Sequence, residues 1–316
     1  MRRTTVRRRL GVAAFLVASL AMAGLATRDQ EPPDVREPTA HSTPAHAQAP
    51  GTDRQAVAPP VAPSPVASPS KRSVTVTPGQ QVRGDLSDPQ KKDIAMRLLS
   101  SAENSTLDWT AQYGYIEDIG DGRGYTAGIV GFCTGTGDLR TVVERYTTAV
   151  PRNRLAAYLP ALRKVNGTDS HEGLDPGFVP AWQAAAADPA FRRAQDAERD
   201  RMYFNPALSQ GKQDGLKVLG QFAYFDAIVM HGATGLAQLR RAAAQVAPPP
   251  AKGGDEAAYL EAFLDARIAL MNTERAHRDR SRIEDAQRVF LRDRNFDLNL
   301  PLRWTVYGDA YEIGPE

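Results

Sequence analysis

The sequence predicts a mainly α-helical domain carrying a small antiparallel β-sheet, preceded by a stretch that does not fold. Three observations lead there. Apolar residues recur every three to four positions through most of residues 84–316, the period of amphipathic helices. One region alone, Tyr113–Ile116 and Tyr125–Phe132, is rich in aromatic and branched residues set among glycines, as strands are. From Thr27 to about Gln80 there is no Phe, Tyr or Trp, while 11 of the chain's 23 prolines fall there. Such a segment cannot bury enough apolar surface to offset its chain entropy.

Residues 1–26 open with Arg2, Arg3, Arg7, Arg8 and Arg9 and continue into an apolar run from Leu10 to Ala26. Small residues at Ala21, Ala23 and Ala26 supply cleavage positions, so the segment reads as a secretory signal peptide and the protein as extracellular. The arginine cluster also admits twin-arginine export. The alternative, a retained anchor, meets a run a little short for a membrane span. Residues 27–83 form the Pro/Ala-rich linker, and residues 84–316 the folded domain, long enough for one substantial core.

Within that domain, Asp88-Pro89 gives an N-cap and a proline at the first helical position, and Ile94, Leu98 and Leu99 fall on one face. Glu103 lies near the end of this helix. Leu155, Tyr158, Leu159, Leu162 and Val165 form a second amphipathic set. Helices follow through Phe191–Tyr203 and the more apolar Leu216–Met230. Glu256–His277 is the longest candidate, its apolar residues covering a broad stripe. Ala247–Gly254, with three consecutive prolines and two glycines, reads as an exposed loop.

Charge narrows the function classes. The chain holds 39 basic and 37 acidic residues; removing the 10 and 5 in positions 1–80 leaves 29 against 32, a net of −3. A mildly acidic domain offers no basic patch for nucleic acid. The single cysteine, Cys133, precludes an intrachain disulfide and reads as a small buried residue rather than a nucleophile. With two of five histidines, His41 and His46, in the linker, no metal-site spacing exists, and no cofactor is implied. A monomer is expected.

Two carboxylates 18 positions apart carry the chemistry: Glu103 at a helix end, and Asp121 in the turn Gly120-Asp121-Gly122-Arg123-Gly124 leading into a strand. Glycoside hydrolysis needs a carboxylic acid for the leaving oxygen and, in inverting enzymes, a carboxylate that activates water on the other face of the sugar. Glu103 suits the acid role, since the negative end of its helix and apolar Leu99 and Trp109 favour a retained proton. Asp121 suits the base role, and Thr126, five residues on, has a hydroxyl able to hold the water. On spacing alone a plainer account competes: a surface Glu, and a turn Asp bonded to its own backbone.

The words around these residues resemble the bacterial chitosanases of glycoside hydrolase family 46. They are Ser100-Ser101-Ala102-Glu103-Asn104-Ser105-Thr106-Leu107-Asp108-Trp109 and the stretch from Ala111 to Thr126. Gly131–Asp138, Leu159–Gly167, Leu219–Gly232, Phe263–Arg267 and Gln287–Phe290 also match, so the likeness runs from about Leu86 to Tyr311. The resemblance implies a two-lobed, lysozyme-like fold with its small sheet in one lobe. It implies an endo-acting, inverting enzyme that cuts β-1,4 linkages between glucosamine units of chitosan. Glu103 then matches the general acid, Asp121 a mobile general base, and Thr126 the residue that positions the water.

Asp138 and Glu274 match acidic substrate contacts, able to attract the cationic amines of chitosan. Arg123, Tyr115 and His231 are further substrate-binding candidates, with structural roles equally open for Tyr115 and His231. Glu117 and Asp118 could line the cleft or lie solvated. Asp226, Arg267 and Arg282 match a charged network that links the lobes and supports the base side. Two departures stand out: a shorter loop after His231, and Arg278 where an acidic residue is expected. Competing readings are a lysozyme-like glycosidase acting on chitin or peptidoglycan, and a non-catalytic amino-sugar-binding protein.

Overall fold

The computed structural model describes residues 84–273 and 279–315. The signal and linker segments, Glu274 and Arg278 lie outside them. Helix α1 (Pro89–Asn104) begins as the sequence predicts: Asp88 Oδ1 accepts from the amides of Gln90 at 2.9 Å and Lys91 at 3.2 Å. Ile94, Leu98, Leu99 and Ala102 are buried on its inner face, and Ser105 ends it in the left-handed region at φ 50°.

A 3₁₀ turn (Trp109–Gly114), capped by Asp108, leads into the sheet. Strand β1 (Ile116–Asp118) pairs antiparallel with β2 (Tyr125–Ala127), and β2 with β3 (Phe132–Cys133). Two local expectations change here. Tyr113 is helical rather than extended, and Tyr125–Phe132 is two strands around a turn rather than one strand. Buried Gln195 holds that turn, accepting from Ile129 N at 3.2 Å and donating to the Tyr113 carbonyl at 2.9 Å.

Helices α2 (Asp138–Ala149), α3 (Leu159–Lys164), α4 (Phe178–Ala185) and α5 (Pro189–Arg199) gather around the sheet. Their centre is aromatic: Trp182 and Phe191 meet edge to face at 4.8 Å, and Tyr146 packs on Phe191 at 5.1 Å. Helix α5 then runs through a π-turn (Asp200–Phe204) into α6 (Asn205–Gln213), so this body is continuous with the next.

The second body is built on α7 (Val218–Val246), whose residues from Val218 to Met230 are all buried. A segment apolar on all sides needs partners on all sides, and α6, α8 (Glu256–Thr273) and α1 supply them. The helix kinks at Gly232, where φ is 69°. At 29 residues α7 is longer than α8, the reverse of the sequence expectation, because the helix expected to stop at Met230 continues past the kink. No helix among the described residues is long and apolar enough to cross a membrane.

A second π-turn (Ile283–Gln287), helix α9 (Arg288–Arg292) and an antiparallel hairpin of β4 (Leu302–Val306) and β5 (Asp309–Ile313) complete the chain. The sequence reading placed strands in one region only, so this hairpin is a correction. Trp304 anchors it: its ring stacks on Tyr311 at 5.6 Å, and its Nε1 donates to Ser101 Oγ on α1 at 3.0 Å.

Candidate active site

Glu103 stands one residue before the end of α1, its side chain 8% exposed. Arg282 Nη2 donates to Glu103 Oε1 at 2.8 Å and to Asp226 Oδ1 at 2.6 Å. Arg267 on α8 meets Asp226 Oδ2 at 2.8 Å, and Gln287 Nε2 donates to the same oxygen at 2.7 Å. Three side chains thus converge on one buried carboxylate. Burial alone would raise the Asp226 pKa, but Arg282 and Arg267 outweigh it and hold the carboxyl at about 2. Burial likewise lowers Arg267, while Asp226 and Glu103 raise Arg282 against its own desolvation.

This network was expected to support the base side. Its hydrogen bonds instead reach Glu103, through Arg282 Nη2. Glu103 therefore sits beside a guanidinium, not in a purely apolar niche. Among the described residues, its Oε2 carries no hydrogen bond.

Asp121 lies in the loop between β1 and β2. Gly122 beside it has φ 81° and no neighbour that an added Cβ would meet, so the turn is open on that side. Gly124 is the opposite case, since a Cβ there would fall 2.3 Å from Thr134 Oγ1. Arg123 closes on Asp121: its amide donates to Oδ1 at 3.1 Å, its Nε to Oδ2 at 2.8 Å, and its Nη2 also pairs with Oδ2. Each side chain is 15% exposed. Arg123 thus spends its fork on Asp121 here, rather than standing free for a ligand.

The hairpin that carries this loop is braced from outside. His171 stacks on Tyr125 at 3.9 Å and lies 3.1 Å from Asp118 and 3.5 Å from Asp175. Tyr125 in turn donates to Asp175 at 2.5 Å.

Thr126 is fully buried on β2, between Glu117 and Cys133 in register, with its hydroxyl 3.4 Å from Cys133 Sγ. Burial pushes the Cys133 thiol up to about 11, against a lowering by Arg123. Asp138, at the start of α2, is 8% exposed. Its Oδ1 accepts from Cys133 N at 2.9 Å, Thr136 Oγ1 at 2.6 Å and Leu139 N at 3.0 Å, while burial raises its pKa. Much of this carboxylate is committed to its own loop.

Tyr115 donates to Glu117 at 3.2 Å, and Glu117 and Asp118 are exposed on β1. His231 is half-buried, just before the α7 kink. The structure therefore gathers Asp226, Arg267 and Arg282 with Glu103, and sets Arg123 against Asp121.

Sequence reasoning passed over three residues. Gln287 supplies the third side chain bonded to Asp226. Tyr203, on the first π-turn, has a phenol raised by burial and by Asp138 and Cys133 nearby; a π-turn in a helical run is itself a frequent sign of a functional position. Tyr307, in the turn between β4 and β5, is the third.

The fold and these two carboxylate groups define a glycoside hydrolase of lysozyme-like build. Residues 97–302 match the model of glycosyl hydrolase family 46, and the chain belongs to that family. It is 61% identical over 232 residues to a chitosanase of Streptomyces sp. (strain N174), covering 72% of this chain and 84% of the relative. A chitosanase of Bacillus subtilis (strain 168) is 38% identical over 234 residues, covering 69% and 84%. Among solved structures, a co-crystal of chitosanase OU01 with substrate matches at TM-score 0.70 and 56% identity, covering 73% of this chain and 99% of that one. A chitotetraose complex of a Gynuella sunshinyii family 46 chitosanase matches at TM-score 0.66 and 33% identity, covering 72% and 99%.

Proposed function

We propose that this protein is a secreted, endo-acting chitosanase that cleaves β-1,4 bonds between glucosamine units with inversion, Glu103 serving as general acid and Asp121 as general base. The observation that carries the reading is the setting of Glu103: nearly buried, Oε1 fixed by Arg282, and Oε2 without a hydrogen bond among the described residues. Oε2 is then the oxygen that carries a proton to the glycosidic oxygen as the C1–O bond breaks. Water attacks C1 from the other face and gives its proton to Asp121. Oδ1 of Asp121, which accepts only the longer 3.1 Å bond from the Arg123 amide, is the oxygen left for that proton. The open glycine turn gives the base room to move toward the sugar. Thr126 is assigned the attacking water, a role that requires its hydroxyl to leave Cys133 as the base loop shifts.

Selectivity for an amine-bearing polymer follows from charge. Exposed Glu117 and Asp118 beside the base loop attract ammonium groups that neutral chitin lacks. Export rests on Met1–Ala26 and is tested by sequencing the N-terminus of protein taken from culture medium: a start near residue 27 supports it, retention with cells opposes it.

The functional test is paired. Glu103→Gln keeps shape and removes the transferable proton; hydrolysis should vanish while oligosaccharide binding persists. Reducing-end release by the parent should fall as chitosan acetylation rises. Turnover by the Gln variant would remove Glu103 from its role, and equal rates on fully acetylated chitin would replace the chitosanase reading with that of a chitin hydrolase.

A further inference from the structure

The β4–β5 hairpin breaks a local rule. Its two-residue turn, Tyr307-Gly308, has φ of 53° and 86°, both positive as in a type I′ turn. Gly308 is suited to that region. A tyrosine is not: its Cβ meets the backbone there, and Asn or Asp is the side chain that tolerates the conformation best. A bulky residue at positive φ costs stability and persists where something else requires its side chain.

Packing does not require it. The hairpin is anchored by the Trp304–Tyr311 stack and by the Trp304 bond to Ser101, whereas the Tyr307 side of the turn is 49% exposed. What the turn does have is a fixed location. The Tyr307 amide donates to Ser281 Oγ at 2.9 Å, and Ser281 adjoins Arg282, whose Nη2 holds Glu103 at 2.8 Å. Burial raises the phenol, with Arg282, Glu103, Asp279 and Asp226 among the charges around it, while about half of the residue stays open.

We propose that Tyr307 is a substrate-contacting residue of the cleft, presenting its ring and phenol to the amino sugar that binds against Glu103. The chemistry fits such a ligand. The C–H face of a sugar ring packs on an aromatic face, and a glucosamine ammonium is drawn to the ring's negative quadrupole. A phenolic oxygen accepts from that ammonium or from a sugar hydroxyl. The inference rests on the reading of Glu103 as proton donor only for the identity of the ligand; its own readout is affinity.

The experiment separates a contact from a fold role because the two move in opposite directions. Tyr307→Asn relieves the turn, so Tm should hold or rise by roughly 2 °C. In the Glu103→Gln background of the full chain, the same change should weaken binding of a fully deacetylated glucosamine hexasaccharide, measured by calorimetry, at least about fivefold. Affinity within twofold of the parent would overturn the proposal. Should Asn instead lower Tm, Tyr307→Leu decides: it keeps the backbone strain and loses the ring. Weakened binding at unchanged Tm supports the contact, and parental affinity overturns it. Hydrolysis by the Glu103→Gln variant alone would remove the donor assignment and leave the Tyr307 affinity shift as a separate result.

Discussion

Glu103 and Asp226 share a single nitrogen atom, Arg282 Nη2, which donates to the first at 2.8 Å and to the second at 2.6 Å. One guanidinium thereby positions both carboxylates. Asp226 is held at about 2, so its pairing with Arg282 persists at neutral pH.

Removing the centre of this network should damage stability and activity together. Asp226→Ala leaves Arg267 buried without its counter-charge and Arg282 with Glu103 alone, a loss of roughly 3–5 kcal/mol in denaturant unfolding. The pH dependence has a definite sign. The folded pKa, about 2, lies below the ordinary 3.8, so the carboxylate contributes stability that is fully present above 3.8 and lost as pH falls through about 2. Thermal melts of the parent between pH 5 and pH 2 should show a decline worth about 2 kcal/mol from this group. The Asp226→Ala protein should lack that component.

Arg123 should matter for turnover more than for folding. Arg123→Lys keeps the charge but loses the planar fork that meets Asp121 through Nε and Nη2. A base displaced by about 1 Å costs on the order of a hundredfold in rate. The expected result is a fall in kcat of roughly ten- to a hundredfold with Tm moved by no more than a few degrees. Unchanged kcat would show that the clamp has no part in placing Asp121.

Cys133 should be silent in the native protein. With its thiol pushed up to about 11 and its side chain buried, almost none is thiolate at neutral pH. A disulfide reagent should find no reactive thiol in the folded chain and one after unfolding in guanidinium. Rapid modification of the folded chain would contradict this burial.

Truncation to residue 84 should leave hydrolysis and Tm intact. Leu86 is fully buried, its amide bonded to Gln221 Oε1 at 2.8 Å, so the fold takes hold just after that point. Loss of folding would assign the preceding residues a structural part.

Local chemistry was the legible part of this chain. Asp88-Pro89 announces α1 because capping depends on residues side by side, and Glu103 follows from that helix's length. The apolar run at Val218–Met230 announces a buried helix on the same grounds. What depends on distant partners was not legible. Arg282 and Glu103 are 179 positions apart, and nothing in either neighbourhood says that the network reaches Glu103 rather than the Asp121 loop. The β4–β5 hairpin was missed because its turn is Tyr-Gly rather than the Asn-Gly or Asp-Gly that signals a type I′ turn, the same departure that singles out Tyr307. The 3₁₀ turn at Trp109–Gly114 was read partly as strand because Tyr113 has strand-like propensity. Its burial and its bond to Asp196 at 2.9 Å are tertiary.

The most direct test of an acid and a base working from opposite faces of the sugar is the anomeric configuration of the first product. Proton NMR of chitosan hydrolysis, followed from the earliest minutes, should show the α-anomer of the new reducing end ahead of mutarotation. A β-anomer appearing first would mean retention, and Asp121 could not then be the base that activates water.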